Sequence, residues 1–145
     1  MAIHYFTEDI QIFISNKRLL KSWIQCIIVK YGYSVGEINY IFTSDRNILM
    51  INRKYLNHNY FTDIITFSYN CDKLTSGDIY ISIDTVKENS ERFKTTFINE
   101  LHRVMIHGIL HLVGLNDSTK GEKIQMSSAE DSALEELYTK FIPNN

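Results

Sequence analysis

The sequence has little cysteine, proline or glycine, and these scarcities exclude several classes of protein. Only two cysteines occur, Cys26 and Cys71, and neither belongs to a CxxC pair. We therefore expect neither a disulfide framework nor a thiolate zinc site, and a reducing cytoplasm is the simplest location. One proline and six glycines in 145 residues leave little room for long linkers or low-complexity disorder.

The sequence also lacks a large excess of charge of one sign and lacks long hydrophobic runs. Fifteen Lys and Arg residues against seventeen Asp and Glu residues give a formal net charge of -2, which excludes bulk charge as the main source of nucleic-acid binding. The most apolar stretch, residues 104–115, is interrupted by two histidines and is shorter than the ~20 residues of a membrane span. The N-terminus lacks a basic segment followed by an apolar run, so we expect no signal peptide.

The chain instead contains a succession of strand and helix patterns. Alternating β-branched and aromatic residues predict four strands, at residues 3–6, 37–43, 62–69 and 78–83. Apolar residues at helical spacing predict helices at residues 17–31, 44–55, 84–93, 96–113 and 119–141. Ser44, Asp84 and the capping box of Thr119 and Glu122 mark helix starts, and the turn-rich segment 70–77 predicts a hairpin.

These elements predict an α+β (mixed α/β) fold. We expect a single domain over residues 1–145, in which a roughly four-stranded mixed sheet packs with helices. The helix at residues 96–113 is the most apolar, so we expect it to be central. It also carries the residues with the clearest chemistry.

Two histidines on this central helix predict a metal site. Residues four apart on a helix share a face, so His107 and His111 present their imidazoles to one point. Gly114 follows where the helix should end, and glycine can take the positive φ that reverses a chain. Asp117 would then return as the third ligand. Three protein ligands with one open position are typical of catalytic zinc, so we expect one zinc or similar divalent ion per chain.

Other interpretations of this histidine pair stay open. Histidines at this spacing also occur as core residues whose nitrogens bind backbone or water. The same offsets occur in HExxHxxGxxH zinc peptidases, but Gly108 stands where those enzymes carry their glutamate base. The spacing therefore favours a metal more than a peptidase, and a zinc hydrolase of peptide or amide bonds is kept as an alternative.

The segment HGILHLVG at residues 107–114 resembles the HGxLHLxG signature of the YbeY family of bacterial single-strand-specific metallo-endoribonucleases. NRKY at 52–55 with TDIITF at 62–67, and GDIYI at 77–81, are similar to further blocks of that family. The resemblance implies ribosomal RNA processing, including maturation of the small-subunit RNA 3′ end, and ribosome quality control. It implies ribosomal RNA and the small ribosomal subunit as partners, with no membrane and no organic cofactor.

Two positions depart from the family pattern. The usual third ligand is a histidine, and Asp117 stands there, but a carboxylate oxygen is also an acceptable zinc ligand. The family's Tyr-Arg pair is Tyr55 and Leu56 in this chain, so that arginine's contact with phosphate or transition state is missing. Arg53, on the same predicted helix face as Leu56, is a candidate to take over the phosphate contact.

The expected reaction is hydrolysis of a phosphodiester by a zinc-activated water. No side chain stands out as the general base, and His58 and Glu100 are candidates by type alone. RNA contacts are expected from basic and aromatic side chains near the helix at 44–55: Arg46, Arg53, Lys54, Tyr60 and Phe61. The remaining alternative is a ribosome assembly factor whose metal is mainly structural.

Overall fold

Four strands form one mixed sheet in the computed structural model, which describes residues 2–60 and 62–143. They are β1 (Ala2–Thr7), β2 (Ser34–Thr43), β3 (Ile64–Ser68) and β4 (Leu74–Ser82), in the spatial order β1-β2-β4-β3. β1 and β4 run parallel to β2, whereas β3 runs antiparallel to β4. The predicted four-stranded mixed sheet is confirmed, and β3 is one of its two edges.

Helices connect and cover these strands. They are α1 (Lys17–Lys30), α2 (Asp45–Leu56), α3 (Ile83–Arg92), α4 (Phe97–Leu112) and α5 (Lys120–Glu136), and a π-helical turn at Leu137–Phe141 continues α5. The predicted α+β single-domain architecture is therefore confirmed. Within residues 2–60 and 62–143, no helix combines the length and apolarity required to cross a bilayer.

Helix starts follow local capping chemistry. The Ser44 hydroxyl accepts the Asn47 N–H at 3.2 Å, and both halves of the Thr119 capping box form. The predicted Asp84 cap of α3 is wrong, because the Ser82 hydroxyl caps that helix. β4 runs directly into α3, so the residue that ends the strand also caps the helix. Asp84 instead accepts the Asp45 N–H at 2.9 Å.

β4 begins four residues earlier than predicted, at Leu74, so the β3–β4 turn is shorter than the expected segment 70–77. The turn-like residues before Asp78 belong to the strand because the backbones approach closely there. A Cβ at Gly77 would stand 2.6 Å from the Phe67 carbonyl oxygen. Glycine therefore permits the strand pairing at a position where its sequence signal suggests a turn.

The sheet separates two apolar clusters. The larger cluster joins α1, α4 and α5 to side chains such as Ile38 and Ile79 on one face of the sheet. The smaller cluster packs Ile48 and Ile51 of α2 against Ile65 on the opposite face. α4 is buried along most of its length, as expected for the central helix.

Gly108 allows α4 to lie directly against the sheet. A Cβ at this position would stand 3.0 Å from Ile79 Cγ2 and 3.1 Å from Ile64 Cδ1. The position that carries the glutamate base in HExxH peptidases therefore faces the packed strands in this protein. A carboxylate there would meet apolar side chains, which speaks against the peptidase alternative.

We predict that Gly108→Ala lowers the free energy of unfolding by about 1–2 kcal/mol. Overpacking against the fully buried Ile79 costs about 1–3 kcal/mol, and the gain in helix propensity offsets up to about 1 kcal/mol. Urea denaturation of both proteins measures the difference. Gly121→Ala in α5 is the control, because its added Cβ meets no atom within 4 Å beyond its chain neighbours and the backbone of its own helix, and the stability of this variant should not fall. A Gly108→Ala protein as stable as the parent would contradict the packing argument.

Candidate metal centre

The structure brings the three predicted ligands together at the end of α4. The His107 and His111 Nε2 atoms lie 3.1 Å apart, and the two rings are nearly perpendicular, at 81°. Asp117 Oδ2 lies 3.3 Å from His107 Nε2 and 3.4 Å from His111 Nε2. One nitrogen from each imidazole and one carboxylate oxygen therefore surround a common point, a donor set that suits a divalent ion such as zinc.

Each histidine is held through its other ring nitrogen. His107 Nδ1 donates to Glu130 Oε2 at 2.5 Å, and His111 Nδ1 donates to the Leu115 carbonyl oxygen at 3.0 Å. Because a carboxylate and a carbonyl only accept, these bonds place the ring proton on Nδ1. Both Nε2 lone pairs are thereby left to face the common point, as metal-ligating histidines require.

A glycine turn carries the chain back to the histidines. Gly114 has φ +104°, and its N–H donates to the His111 carbonyl at 3.1 Å. The Leu115 N–H then donates to the Leu110 carbonyl at 2.9 Å, which completes a Schellman-type helix end. The predicted positive φ of Gly114 is confirmed. Asp117 lies three residues beyond this turn, before α5 begins.

Sequence reasoning missed the carboxylate that orients His107. Glu130 on α5 is only 8% exposed and also accepts Arg103 Nη1 at 2.8 Å. The sequence spacing places Glu130 on the buried face of α5, because it lies four residues after buried Met126 and three before buried Ala133. A charged residue within the apolar stripe of a helix needs a buried partner.

Carboxylates dominate the electrostatics around the three ligands. Burial raises the pKa of Asp63, and the nearby His107 opposes this shift. Burial and then the charge of Asp63 raise the pKa of Glu100. For His107, burial acts to lower the pKa, but the hydrogen bond and charge of Glu130 outweigh it, with Asp117 adding to them, so the pKa is raised. Such a centre attracts positive charge, whether a proton or a cation.

The ligands open into a cleft between α4 and the edge strand β3. The cleft has a volume of about 420 Å³. Its strand wall consists of alternate residues that share one face of the sheet and the segment before it: Thr62, Ile64, Thr66 and Ser68. Asp63 also lines it, and the structure thus adds Asp63 to the candidates for a general base. Glu100 lines an adjoining cavity together with Asp63, His107 and Asp117.

The basic residues expected to bind RNA lie elsewhere. α2 covers the sheet face opposite α4, so Arg46, Arg53 and Lys54 do not join the ligand cluster. Arg46 and Arg53 line a surface groove with Asp9. The Lys54 ammonium lies 5.3 Å from the centroid of the Tyr55 ring. Contact of these three residues with RNA stays a prediction.

Two further residues singled out from the sequence, His58 and Tyr60, line a second groove. This groove shares Thr62, Ile64 and Thr66 with the metal cleft. Among the described residues that line the metal cleft, His58 does not appear, so its position does not favour a role as general base. Phe61, expected to offer a stacking surface, lies outside the described residues.

Comparisons with known proteins cover nearly the whole chain. Residues 3–138 match the sequence profile of a family described as Endoribonuclease YbeY. The chain is 50% identical over 134 residues to an endoribonuclease YbeY of Parabacteroides distasonis, covering 92% of this chain and 94% of the relative. It is 52% identical over 134 residues to one of Bacteroides fragilis, covering 92% and 96%. The solution structure of TM1509 from Thermotoga maritima aligns with a TM-score of 0.69 at 28% identity, covering 99% and 93%.

We predict that Gly114→Val weakens metal binding and stability together. A β-branched residue at positive φ costs about 1–3 kcal/mol, and relief of that strain would move Asp117 away from the histidines. Zinc affinity should fall by roughly tenfold or more, as measured by competition with a chelator.

Gly32→Val is the matched control for that variant. Gly32 has φ +85° after α1, and neither glycine has an atom within 3.4 Å of an added Cβ. The control should lose similar stability and keep its zinc affinity. Equal zinc affinities in both valine variants would contradict the role of the Gly114 turn.

We predict that Glu130→Gln lowers zinc affinity by about 10- to 100-fold, because the charge that orients His107 is removed while the side chain keeps its size. Isothermal titration with zinc measures the change. Glu136→Gln is the control: Glu136 lies on the same helix, its side chain is equally 10% exposed, and it pairs with Lys30 and Lys140 instead. The orienting role is refuted if both variants bind zinc as the parent does.

Proposed function

The chain belongs to the YbeY family of endoribonucleases, and from this premise we propose a zinc-dependent enzyme that cuts single-stranded ribosomal RNA. Family membership makes the protein a hydrolase that acts on RNA. The proposal adds that it matures the 3′ end of small-subunit RNA, takes part in ribosome quality control and has the small ribosomal subunit as its partner. We place it in the cytoplasm because its two cysteines suit a reducing compartment.

The observation that carries this proposal is the convergence of His107 Nε2, His111 Nε2 and Asp117 Oδ2 in an open cleft. We assign these three residues as ligands of one zinc ion. When bound, a divalent ion with an open position lowers the pKa of water towards about 7 and stabilises charge on a phosphoryl oxygen. Three ligands suit catalysis better than a purely structural site, which four ligands normally close.

The side chains around the cleft support a single strand of RNA better than a duplex. One wall of the cleft is the edge strand β3, so a single-stranded RNA can lie along this wall with its bases unstacked. A duplex presents mainly its backbone and shape, and the acidic side chains Asp63, Asp117 and Glu130 repel phosphates. We therefore expect modest affinity for free RNA, with the ribosomal subunit presenting the strand.

The remote basic residues fit a path around the sheet edge. α2 carries Arg53 and Lys54 in its last turn, and the groove beyond β3 begins at that same end. An RNA strand that leaves the metal cleft across β3 would reach the C-terminal end of α2 before it reaches Arg46. We propose that Arg53 contacts phosphate there, with Lys54 and Arg46 farther along.

We predict that the purified protein with zinc cuts single-stranded RNA and leaves a matched duplex largely intact. His107→Ala and His111→Ala should each lose most bound zinc and slow cleavage by roughly 100-fold or more. His4→Ala is the control, because His4 is an exposed histidine on β1, at the opposite edge of the sheet from β3. Elemental analysis and gel-resolved cleavage of the same preparations provide both measurements.

Two results would overturn parts of this proposal. Cleavage by His111→Ala at the parental rate would assign the activity to another site or to a contaminant. Zinc bound by the parent without any cleavage of RNA, free or on the ribosomal subunit, would instead support the assembly factor with a structural metal.

A further inference from the structure

An exposed aromatic pair lies between α2 and β3, beside the cleft described above. The rings of His58 and Tyr60 stack with centroids 5.1 Å apart and planes 19° apart. A hydrogen bond of 3.0 Å joins the Tyr60 hydroxyl to His58 Nδ1. Tyr60 is nevertheless 55% exposed, and neither apolar cluster of the described residues includes the pair. Packing against the core therefore does not explain this arrangement of the two rings.

The last turns of α2 fix the segment that carries the pair. Asn52 is only 2% exposed, and its Nδ2 donates to the Tyr60 carbonyl at 2.9 Å. The Asn52 carbonyl accepts the His58 N–H at 3.0 Å, and Arg53 Nε donates to the Asn59 side chain. A surface held in this way loses little conformational entropy when a ligand binds.

The groove under the pair adjoins the metal cleft. Its far wall is formed by Thr62, Ile64 and Thr66, and these three residues also line the cleft that holds the ligands. Leu56 lies in the same groove and is 40% exposed. Because this leucine stands where the YbeY pattern has an arginine, the groove offers an apolar side chain in place of a charge.

We propose that His58 and Tyr60 form a platform on which one unpaired nucleobase stacks, close to the phosphodiester at the metal centre. This inference rests on the proposed function, because it takes single-stranded RNA as the ligand. Every base has a π-face that stacks on an aromatic ring, and Leu56 adds an apolar contact. The neighbouring Arg53 and Lys54 suit the flanking phosphates. A base within a duplex cannot reach the platform, so the pair contributes to selection of single strands.

The test measures whether the loss of one base and the loss of one aromatic ring weaken RNA binding through the same contact. Full-length protein in EDTA, which prevents cleavage, binds an unstructured RNA hexamer and six derivatives, each with one abasic position. For the parent, the abasic change at one position should weaken binding about tenfold. Tyr60→Leu should weaken binding of the intact hexamer by a similar factor and become insensitive to that abasic change. Tyr60→Phe keeps the ring and should keep the sensitivity.

Control variants separate the platform from general effects. Phe13→Leu changes another exposed aromatic, 84% exposed, on the segment before α1, and should bind RNA as the parent does. His58→Leu repeats the test from the other ring, and zinc content with the thermal midpoint shows that each variant is folded.

The outcomes distinguish this proposal from the proposed function. If the parent shows no abasic sensitivity, or Tyr60→Leu and His58→Leu keep it, the platform is refuted even when zinc-loaded protein cleaves RNA. A parent that binds no hexamer refutes it as well, and would leave a protein segment as the better occupant. If the sensitivity is present and depends on both rings but no RNA is cleaved, the platform stands and the nuclease function fails.

Discussion

The close approach of α4 to β3 and β4 at Gly108 is the constraint on which the rest of the site depends. Residue 108 points into the sheet. Around the helix axis, positions 107 and 111 lie about 100° and 60° from position 108, both on the same side. Both histidines therefore point along the sheet towards its β3 edge, at the boundary between core and solvent. A bulkier residue at 108 would lift the helix and move both imidazoles away from the strand that walls the cleft.

The charge arrangement around the ligands follows from this boundary position. Glu130 is largely withdrawn from water, and Arg103 balances it from one side while His107 donates from the other. A buried carboxylate needs such partners, since its desolvation costs several kcal/mol when it is unpaired. With Asp63 and Asp117 close by, carboxylates outnumber the cationic groups at the cluster. A divalent cation is the ligand that this imbalance favours most, and protons compete with it at low pH because the pKa of His107 is raised.

Sequence reasoning succeeded where structure depends on neighbours along the chain. The His107 and His111 spacing, the Gly114 turn and the Thr119 capping box involve residues within four positions of each other, and all three form as predicted. Sequence reasoning missed a residue whose role depends on contacts between segments that are distant along the chain. Glu130 faces His107 only because α5 packs back on α4. The spacing of Glu130 among buried residues of α5 indicates that this carboxylate needs a buried partner, but it does not identify His107 as that partner.

The two departures from the family pattern change the electrostatics in the same direction. Asp117 replaces a neutral histidine with a negative charge, and Leu56 removes a positive one. Under the proposed function, the side of the molecule that would meet RNA is therefore less attractive to phosphate than the family pattern would make it, in a chain whose net charge is already -2. Base stacking and hydrogen bonds to the edge strand β3 would then add to the few phosphate contacts that Arg53 and Lys54 could make. Stacking needs unpaired bases, so on this proposal weak attraction of phosphate would make recognition depend more strongly on single-stranded structure.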